Sequence, residues 1–297
     1  MSELEWGGQT WTLRSDRTAY WQEGRTLVVA DPHFGKAEHF RGAGVPVPRG
    51  TTRHNLERLD IALRATGAER LMVVGDFFHS RGGVTEALIE RLVAWRRGWD
   101  GLEVVNVRGN HDRQAGDPPA EVGVRCVAGP WRDERDGAVA FAHEPCVVNQ
   151  AVAVCGHVHP AVVLEGRGKS RLRVACFYFT RRAVTLPAFG AFTGMKVVRP
   201  RRGDRVFAVG PAEVVEIRGV VGRGRRGAQP EQAVAAETVG AAVRGASGSA
   251  AGDKAAGAAG KRPGDAAGDP SGGDFEGASE DTSGGGSGSH PEASGFE

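Results

Sequence analysis

Leu71-Met72-Val73-Val74-Gly75-Asp76-Phe77-Phe78-His79 joins a short apolar run to a glycine, a carboxylate and, three residues on, an imidazole. Four apolar residues ending at a turn residue suit a strand buried on both faces, and ligand sites collect where such strands end. The arrangement recurs on either side. Leu27-Val28-Val29-Ala30 runs into Asp31-Pro32-His33, and Val104-Val105-Asn106-Val107 leads to Gly109-Asn110-His111-Asp112. Helical periodicity separates the runs: Leu56, Leu59 and Leu63 share a stripe between Asn55 and Ala65, and Leu88, Ile89, Leu92, Val93 and Trp95 form another after Thr85, a residue type that caps helix starts. Strand–helix–strand alternation predicts βαβ units in a largely parallel sheet.

Outward from this core the texture changes. Thr10 to Leu13 and Ala19 to Gln22 read as two short N-terminal strands. From about Ala138 short strands follow closely, at 138–142, 152–155, 161–164, 172–179, 196–199 and 206–209, with connections too short for helices. This half is expected to be mostly antiparallel. The fold class is α/β, with two packed mixed β-sheets flanked by helices.

From Val221 to Glu297 there is no Leu, Ile, Met, Trp or Tyr, and runs such as Gly284-Gly285-Gly286-Ser287 recur. Such a segment cannot bury enough apolar surface to offset its chain entropy, so 221–297 is expected to be a disordered acidic tail and 1–220 the one ordered domain. The tail carries 7 Lys+Arg and 11 Asp+Glu out of 38 and 36, which leaves residues 1–220 with 31 and 25, net +6. That balance permits a polyanionic substrate without requiring one. The cysteines at 126, 146, 155 and 176 form no CxxC pair and read as free thiols of a reducing compartment. The first residues show no secretory leader and no run is long enough to span a membrane, so the protein is expected to be cytoplasmic.

The strand ends carry the chemistry. His143 and Gly156-His157-Val158-His159 in the second half join the three loops above. Two carboxylates, an amide oxygen and several imidazoles make a mixed oxygen and nitrogen ligand set without sulfur, which suits Mn, Fe or Zn. Asp76 can bridge two ions through its two oxygens. In Asp-x-His and His-x-His, alternate residues of an extended segment project the same way, and glycines at 75, 109 and 156 let the backbone turn beneath the metals. His79 is expected behind the ligands, Phe77 and Phe78 beneath the site, and Trp95 and Trp99 in the core. Arg199, Arg201, Arg202 and Arg205 read as a solvated hairpin. Lys36, His39, Arg41 and Arg53, in the loop and helix start after the first motif, are candidate phosphate contacts.

The D-x-H, G-D-x-x-H, G-N-H-D, H and G-H-x-H series resembles the calcineurin-like metallophosphoesterases. Asp31-Pro32-His33-Phe34-Gly35-Lys36-Ala37, Gly44-Val45-Pro46-Val47-Pro48, His143-Glu144-Pro145 and Leu186-Pro187-Ala188-Phe189-Gly190 resemble the DNA-ligase-associated phosphoesterases among them. The resemblance implies two divalent ions, Mn²⁺ first: one held by Asp31, His33, Asp76 and His159, the other by Asp76, Asn110, His143 and His157. It implies that His111 faces the substrate, with Asp112 orienting and charging it, in hydrolysis by metal-activated hydroxide attack. It also implies DNA as substrate, in repair, beside a DNA ligase, a helicase and an exonuclease. The same chemistry on a cyclic nucleotide or phosphomonoester shares every metal residue. A non-catalytic scaffold would have eroded ligand positions, and here all are filled.

Overall fold

The computed structural model describes residues 1–133, 135–166 and 170–218; the segment 221–297 lies outside the described residues. Among the described residues, seven strands form one sheet in the order in which they occur: β1 (Ser2–Trp6), β2 (Gln9–Leu13), β3 (Ala19–Trp21), β4 (Thr26–Val29), β5 (Arg70–Val73), β6 (Glu103–Val107) and β7 (Arg125–Val127). The first four form an antiparallel meander, and β4 to β7 are parallel. Helix α2 (Thr51–Thr66) connects β4 to β5, and α3 (Glu86–Arg97) connects β5 to β6, as the periodicity predicted. Two shorter helices, α1 (Lys36–Gly42) and α4 (Asp112–Ala115), begin within the loops after β4 and β6. The Thr85 hydroxyl accepts from the Leu88 N–H at 3.2 Å, capping α3.

The second sheet contains β8 (Trp131–Arg132), β9 (Val139–Ala142), β10 (Val152–Cys155), β11 (Pro160–Glu165), β12 (Arg171–Phe179), β13 (Ala183–Thr185), β14 (Lys196–Val197), β15 (Arg205–Val209) and β16 (Val214–Glu216). Among the described residues, five of its eight strand pairings are antiparallel, as expected for this half. The centre, β9–β10–β13, is parallel, and so is the β11–β14 pair. All residues of β9 and β13 are buried, the environment parallel strands require; a loop joins β9 to β10, and the antiparallel β11–β12 pair lies between β10 and β13 in the chain. Ser2–Trp6, Arg125–Val127 and Ala183–Thr185 are strands that sequence periodicity did not single out. Arg125–Val127 and Ala183–Thr185, at three residues each, are too short to show a period.

Alternation along the central strands divides the core. Val28, Met72, Val105 and Val107 face the second sheet and pack with Trp11, Trp21, Phe141, Phe177 and Phe207. Leu27, Val29, Leu71, Val73 and Val104 face the other way, onto Leu56, Leu59 and Leu63 of α2 and Leu88 and Leu92 of α3. Trp95 and Trp99 are structural: both indole N–H groups donate to Asp60 Oδ1, at 2.8 and 2.6 Å. The four cysteines are unpaired. Among the described residues no helix is long and apolar enough to cross a membrane.

Candidate metal centre

Five loops deliver the site, each leaving the carboxyl end of a strand: Asp31–His33 after β4, Asp76–His79 after β5, Gly109–Asp112 after β6, His143 after β9 and Gly156–His159 after β10. The first two are tied side by side. His33 N–H donates to the Asp76 carbonyl at 3.0 Å, Phe34 N–H to Phe77 at 2.8 Å, and His79 N–H to Phe34 at 3.0 Å. The Leu186–Gly190 stretch closes behind them, with Phe189 N–H on the Ala30 carbonyl at 2.8 Å and Gly190 N–H on that of Asp31 at 3.1 Å.

These loops bring two acid–imidazole groups together, Asp31 with His33 and His159, and Asp76 with His143 and His157, each with donor atoms within 4.8 Å of one another. Asp76 stands between them. Its Oδ1 accepts from the His111 N–H at 2.9 Å, and its Oδ2 faces His143 Nε2 at 3.5 Å and His33 Nε2 at 3.9 Å. Asp31 accepts from the His157 N–H at 2.9 Å and lies 3.6 Å from His159 Nε2. Asn110 Oδ1 is 2.8 Å from His143 Nε2.

The backbone that achieves this is strained. Asp31, His33, Asp76, His157 and His159 all have positive φ, between 46° and 67°. For residues with a Cβ this left-handed conformation costs roughly 1–2 kcal/mol each, and it persists only where the surroundings over-determine it. The glycines beneath the site work in two ways. Gly75 has φ +90°, and a Cβ there would lie 2.1 Å from His143 Nδ1. Gly109 and Gly156 have no positive φ, and their requirement is steric. A Cβ on either would meet a carboxylate, 2.2 Å from Asp76 Oδ1 and 2.8 Å from Asp31 Oδ2.

The donor set fits cations. His143 Nδ1 sits 3.2 Å from the Val74 carbonyl and His159 Nδ1 3.1 Å from that of Gly194. Donating there places the proton on Nδ1 and turns an Nε2 lone pair into the site. His143 Nε2 then meets Asn110 Oδ1 acceptor to acceptor, and the buried Nε2 of His159 has no hydrogen-bond partner. A cation at each of the two groups would take up these lone pairs.

Electrostatics point the same way. Burial, with Asp31 adding to it, pushes Asp76 up to about 6, against the pull of His143 and His111. Burial, reinforced by Lys36, pushes His33 down to about 2 and His79 down to about 4. His157 is lowered too, by burial and then by His143. These three rings are neutral at pH 7 and available as ligands, while Asp76 awaits a positive partner.

Of the other residues singled out in the sequence, His111 stands beside the site, with Nε2 4.0 Å from Asp76 Oδ2. Asp112 does not touch its imidazole. Its buried carboxylate accepts from Gly109 N–H at 2.9 Å, Asn106 Nδ2 at 3.1 Å and Phe78 N–H at 3.3 Å, while His111 Nδ1 lies 2.6 Å from the His79 carbonyl. The donors exposed by the tight Gly109 loop claim the carboxylate first. Lys36 is at the site: burial lowers it, and Asp31 and Asp76 draw it back up. The His39 ring is 5.4 Å from that of His79. Arg41 and Arg53 are not brought in. Arg41 reaches Glu38 Oε1 at 3.1 Å and the Pro48 carbonyl at 3.3 Å, and Arg53 is exposed, 3.5 Å from Glu57. Each has a carboxylate one helical turn away, which holds it locally. His79 is more than a backing residue, because its ring joins His33 and His111 in a third group of converging donors. Its spacing within G-D-x-x-H is the signal that pointed there.

A sheet-layered α/β fold with acid–imidazole pairs at its strand ends defines a metal-dependent phosphoesterase. No family model and no curated protein matches the chain. Among solved structures, Pseudomonas putida nuclease MPE superposes with a TM-score of 0.63 at 37% identity, over 72% of this chain and 99% of that one. A phosphoesterase from E. coli (15% identity, 65% and 97% covered) and the protein AQ665 from Aquifex aeolicus (17%, 45% and 78%) superpose at 0.32, too loosely to carry weight. At 37% identity over nearly the whole of the Pseudomonas nuclease, the chain belongs to the metallophosphoesterase family of that protein.

Proposed function

We propose that the chain is a Mn²⁺-dependent phosphodiesterase that cleaves DNA, acting as an endonuclease in repair in the cytoplasm alongside a DNA ligase, a helicase and an exonuclease. Residues 1–220 form the catalytic domain of this reading. The observation that carries it is the position of the Asp76 carboxylate, whose Oδ2 faces one imidazole from each group, His33 and His143. The identity to a nuclease supports the substrate class.

Asp31, His33, Asp76 and His159 would hold one ion, and Asp76, Asn110, His143 and His157 the other. A bound pair of such ions supplies a water acidified for attack and positive charge for the phosphoryl oxygens. The chain's own residues do the rest. Lys36, half-buried beside Asp31 and Asp76, adds a cation for a non-bridging phosphate oxygen. His111, held at Nδ1 by the His79 carbonyl, directs Nε2 to the substrate side and, when protonated, passes a proton to the leaving oxygen.

The test is turnover by the purified chain with Mn²⁺ on single-stranded, duplex and nicked DNA from low to high salt, with 2′,3′- and 3′,5′-cyclic nucleotides in parallel. Cleavage of DNA that weakens with salt is the expected result. Efficient cyclic-nucleotide turnover with every DNA form intact would replace this reading by the small-substrate one.

A further inference from the structure

A groove of about 790 Å³ lies against the loop that carries His157 and His159, with Val158 in its wall. Its other walls come from the end of β12, the turn into β13, and β14 with the segment that follows. Five cations line it: Arg181, Arg182, Lys196, Arg199 and Arg201. All five side chains are exposed. The one carboxylate in the lining, Asp204, is already occupied, since its Oδ2 accepts from the Tyr178 hydroxyl at 2.6 Å and the Arg201 N–H at 2.7 Å.

The cations have no acidic partner of their own. Among the described residues, none of the five is in a salt bridge, and Arg182 donates only to the Val148 carbonyl, at 2.7 Å. Arg205, read with Arg199 and Arg201 as one cluster in the sequence, turns away and pairs with Glu216 at 2.7 Å. A solvated hairpin has no reason to gather unpaired charges of one sign around one concavity. The groove is also continuous with the metal loop. Lys196 N–H donates to the His159 carbonyl at 3.0 Å, and β14 pairs in parallel with β11 directly after His159.

We propose that this groove binds the phosphodiester backbone of the nucleic acid flanking the scissile phosphate, so that the metal loop and the cationic wall engage one strand together. The inference rests on the nuclease reading above for its choice of polyanion. Unpaired arginines beside a concave surface recognise successive phosphates without reading sequence, and each contact released to salt adds to the salt dependence of binding.

The experiment uses the full chain with Arg199→Ala and Arg201→Ala combined, and the Arg199→Lys, Arg201→Lys pair as a charge-preserving control. Three readouts are taken: binding of a fluorescent single-stranded oligonucleotide over a salt series without added metal, Mn²⁺-dependent DNA cleavage, and turnover of bis(p-nitrophenyl) phosphate. Removing two phosphate contacts lowers the slope of log affinity against log salt by ~1.4 for a single strand. DNA binding and cleavage at about 0.15 M salt should fall on the order of 10-fold, most of it regained in the lysine pair. Hydrolysis of the small diester should stay within about twofold, since it does not extend into the groove. An unchanged salt slope, an equal fall on the small diester, or a gain in DNA cleavage on removing the charges would overturn the proposal. A wild-type chain that binds the oligonucleotide through these arginines yet cleaves no DNA would leave the groove standing and defeat the nuclease reading alone.

Discussion

The Nδ1 atom of His111 lies 2.6 Å from the carbonyl oxygen of His79, so the residue three positions beyond Asp76 sets the tautomer of the imidazole to which we assign the leaving-group proton. A ring that donates at Nδ1 presents Nε2 to the site, and Nε2 stands 4.0 Å from Asp76 Oδ2. His111→Ala should therefore keep bound metal and lose on the order of 10²–10⁴ in rate on DNA. The loss should shrink on a nitrophenyl diester, whose leaving group needs no proton. Metal content and the two rates, measured on one preparation, check this; equal losses on both substrates would assign His111 to phosphate positioning instead.

Asp112 should behave differently from its neighbour. Its carboxylate satisfies two backbone N–H groups and the Asn106 amide in a buried setting. Asp112→Ala leaves those donors unpaired at ~1–3 kcal/mol each, so the melting temperature should fall by several degrees. Because the Gly109 loop loosens as a whole, the rate should drop equally on good and poor leaving groups. A variant of normal stability with a leaving-group-dependent defect would restore Asp112 to a role in charging His111.

Gly75→Ala should cost stability and metal together. The residue has φ +90°, and the added methyl would stand 2.1 Å from His143 Nδ1, displacing a ring that anchors one ligand group. Strain of ~1–3 kcal/mol corresponds to ~2–4 °C for each kcal/mol in a domain of this size. Thermal unfolding with and without Mn²⁺ measures both effects: the melting temperature of the metal-free protein should fall, and the rise on adding Mn²⁺ should be smaller than in the wild type. An alanine variant with unchanged melting and metal response would show that the loop has room the structure does not display.

The acidity of Asp76 gives a prediction with a definite sign. Burial raises it to about 6, so in the metal-free protein it contributes stability at low pH that is lost as pH rises through about 6. Asn at this position resembles the protonated acid and does not titrate. With chelator present, Asp76→Asn should gain on the wild type as pH rises from the ordinary carboxylate range to about 6, so that its advantage in melting temperature is smaller near pH 5 than near pH 8. Without chelator, in Mn²⁺, its activity should be abolished and its bound metal fall from two ions towards one or none. Calorimetric melting at the two pH values, with metal analysis, checks this. Equal melting at both would show that Asp76 ionises at no cost in the empty site.

Much of the fold was legible because its signals are local. Apolar runs ending in Gly-Asp, Gly-Asn and Asp-Pro-His, with helical stripes between them, specify parallel strands and the end at which a site forms, and the observed β4 to β6 lie within a residue or so of those runs. The acid and imidazole positions were legible for the same reason, since each immediately follows a strand. Tertiary structure alone decided which of these residues meet. It set Asp76 between His33 and His143, residues 43 and 67 positions away from it on opposite sides in the chain, because β5 and the second sheet end at the same edge of the core. It gave the Asp112 carboxylate to the Gly109 loop and gave His111 a backbone carbonyl, choices made by which donors lie nearest once the loop closes. It gathered Arg181, Arg182 and Lys196 around one groove with the neighbouring Arg199 and Arg201, although nothing in the sequence joins the first three to the last two. Periodicity and turn chemistry act over a few residues and can be read along the chain. Hydrogen-bond partners and charge neighbours depend on distances between segments, which exist only once the sheets have packed.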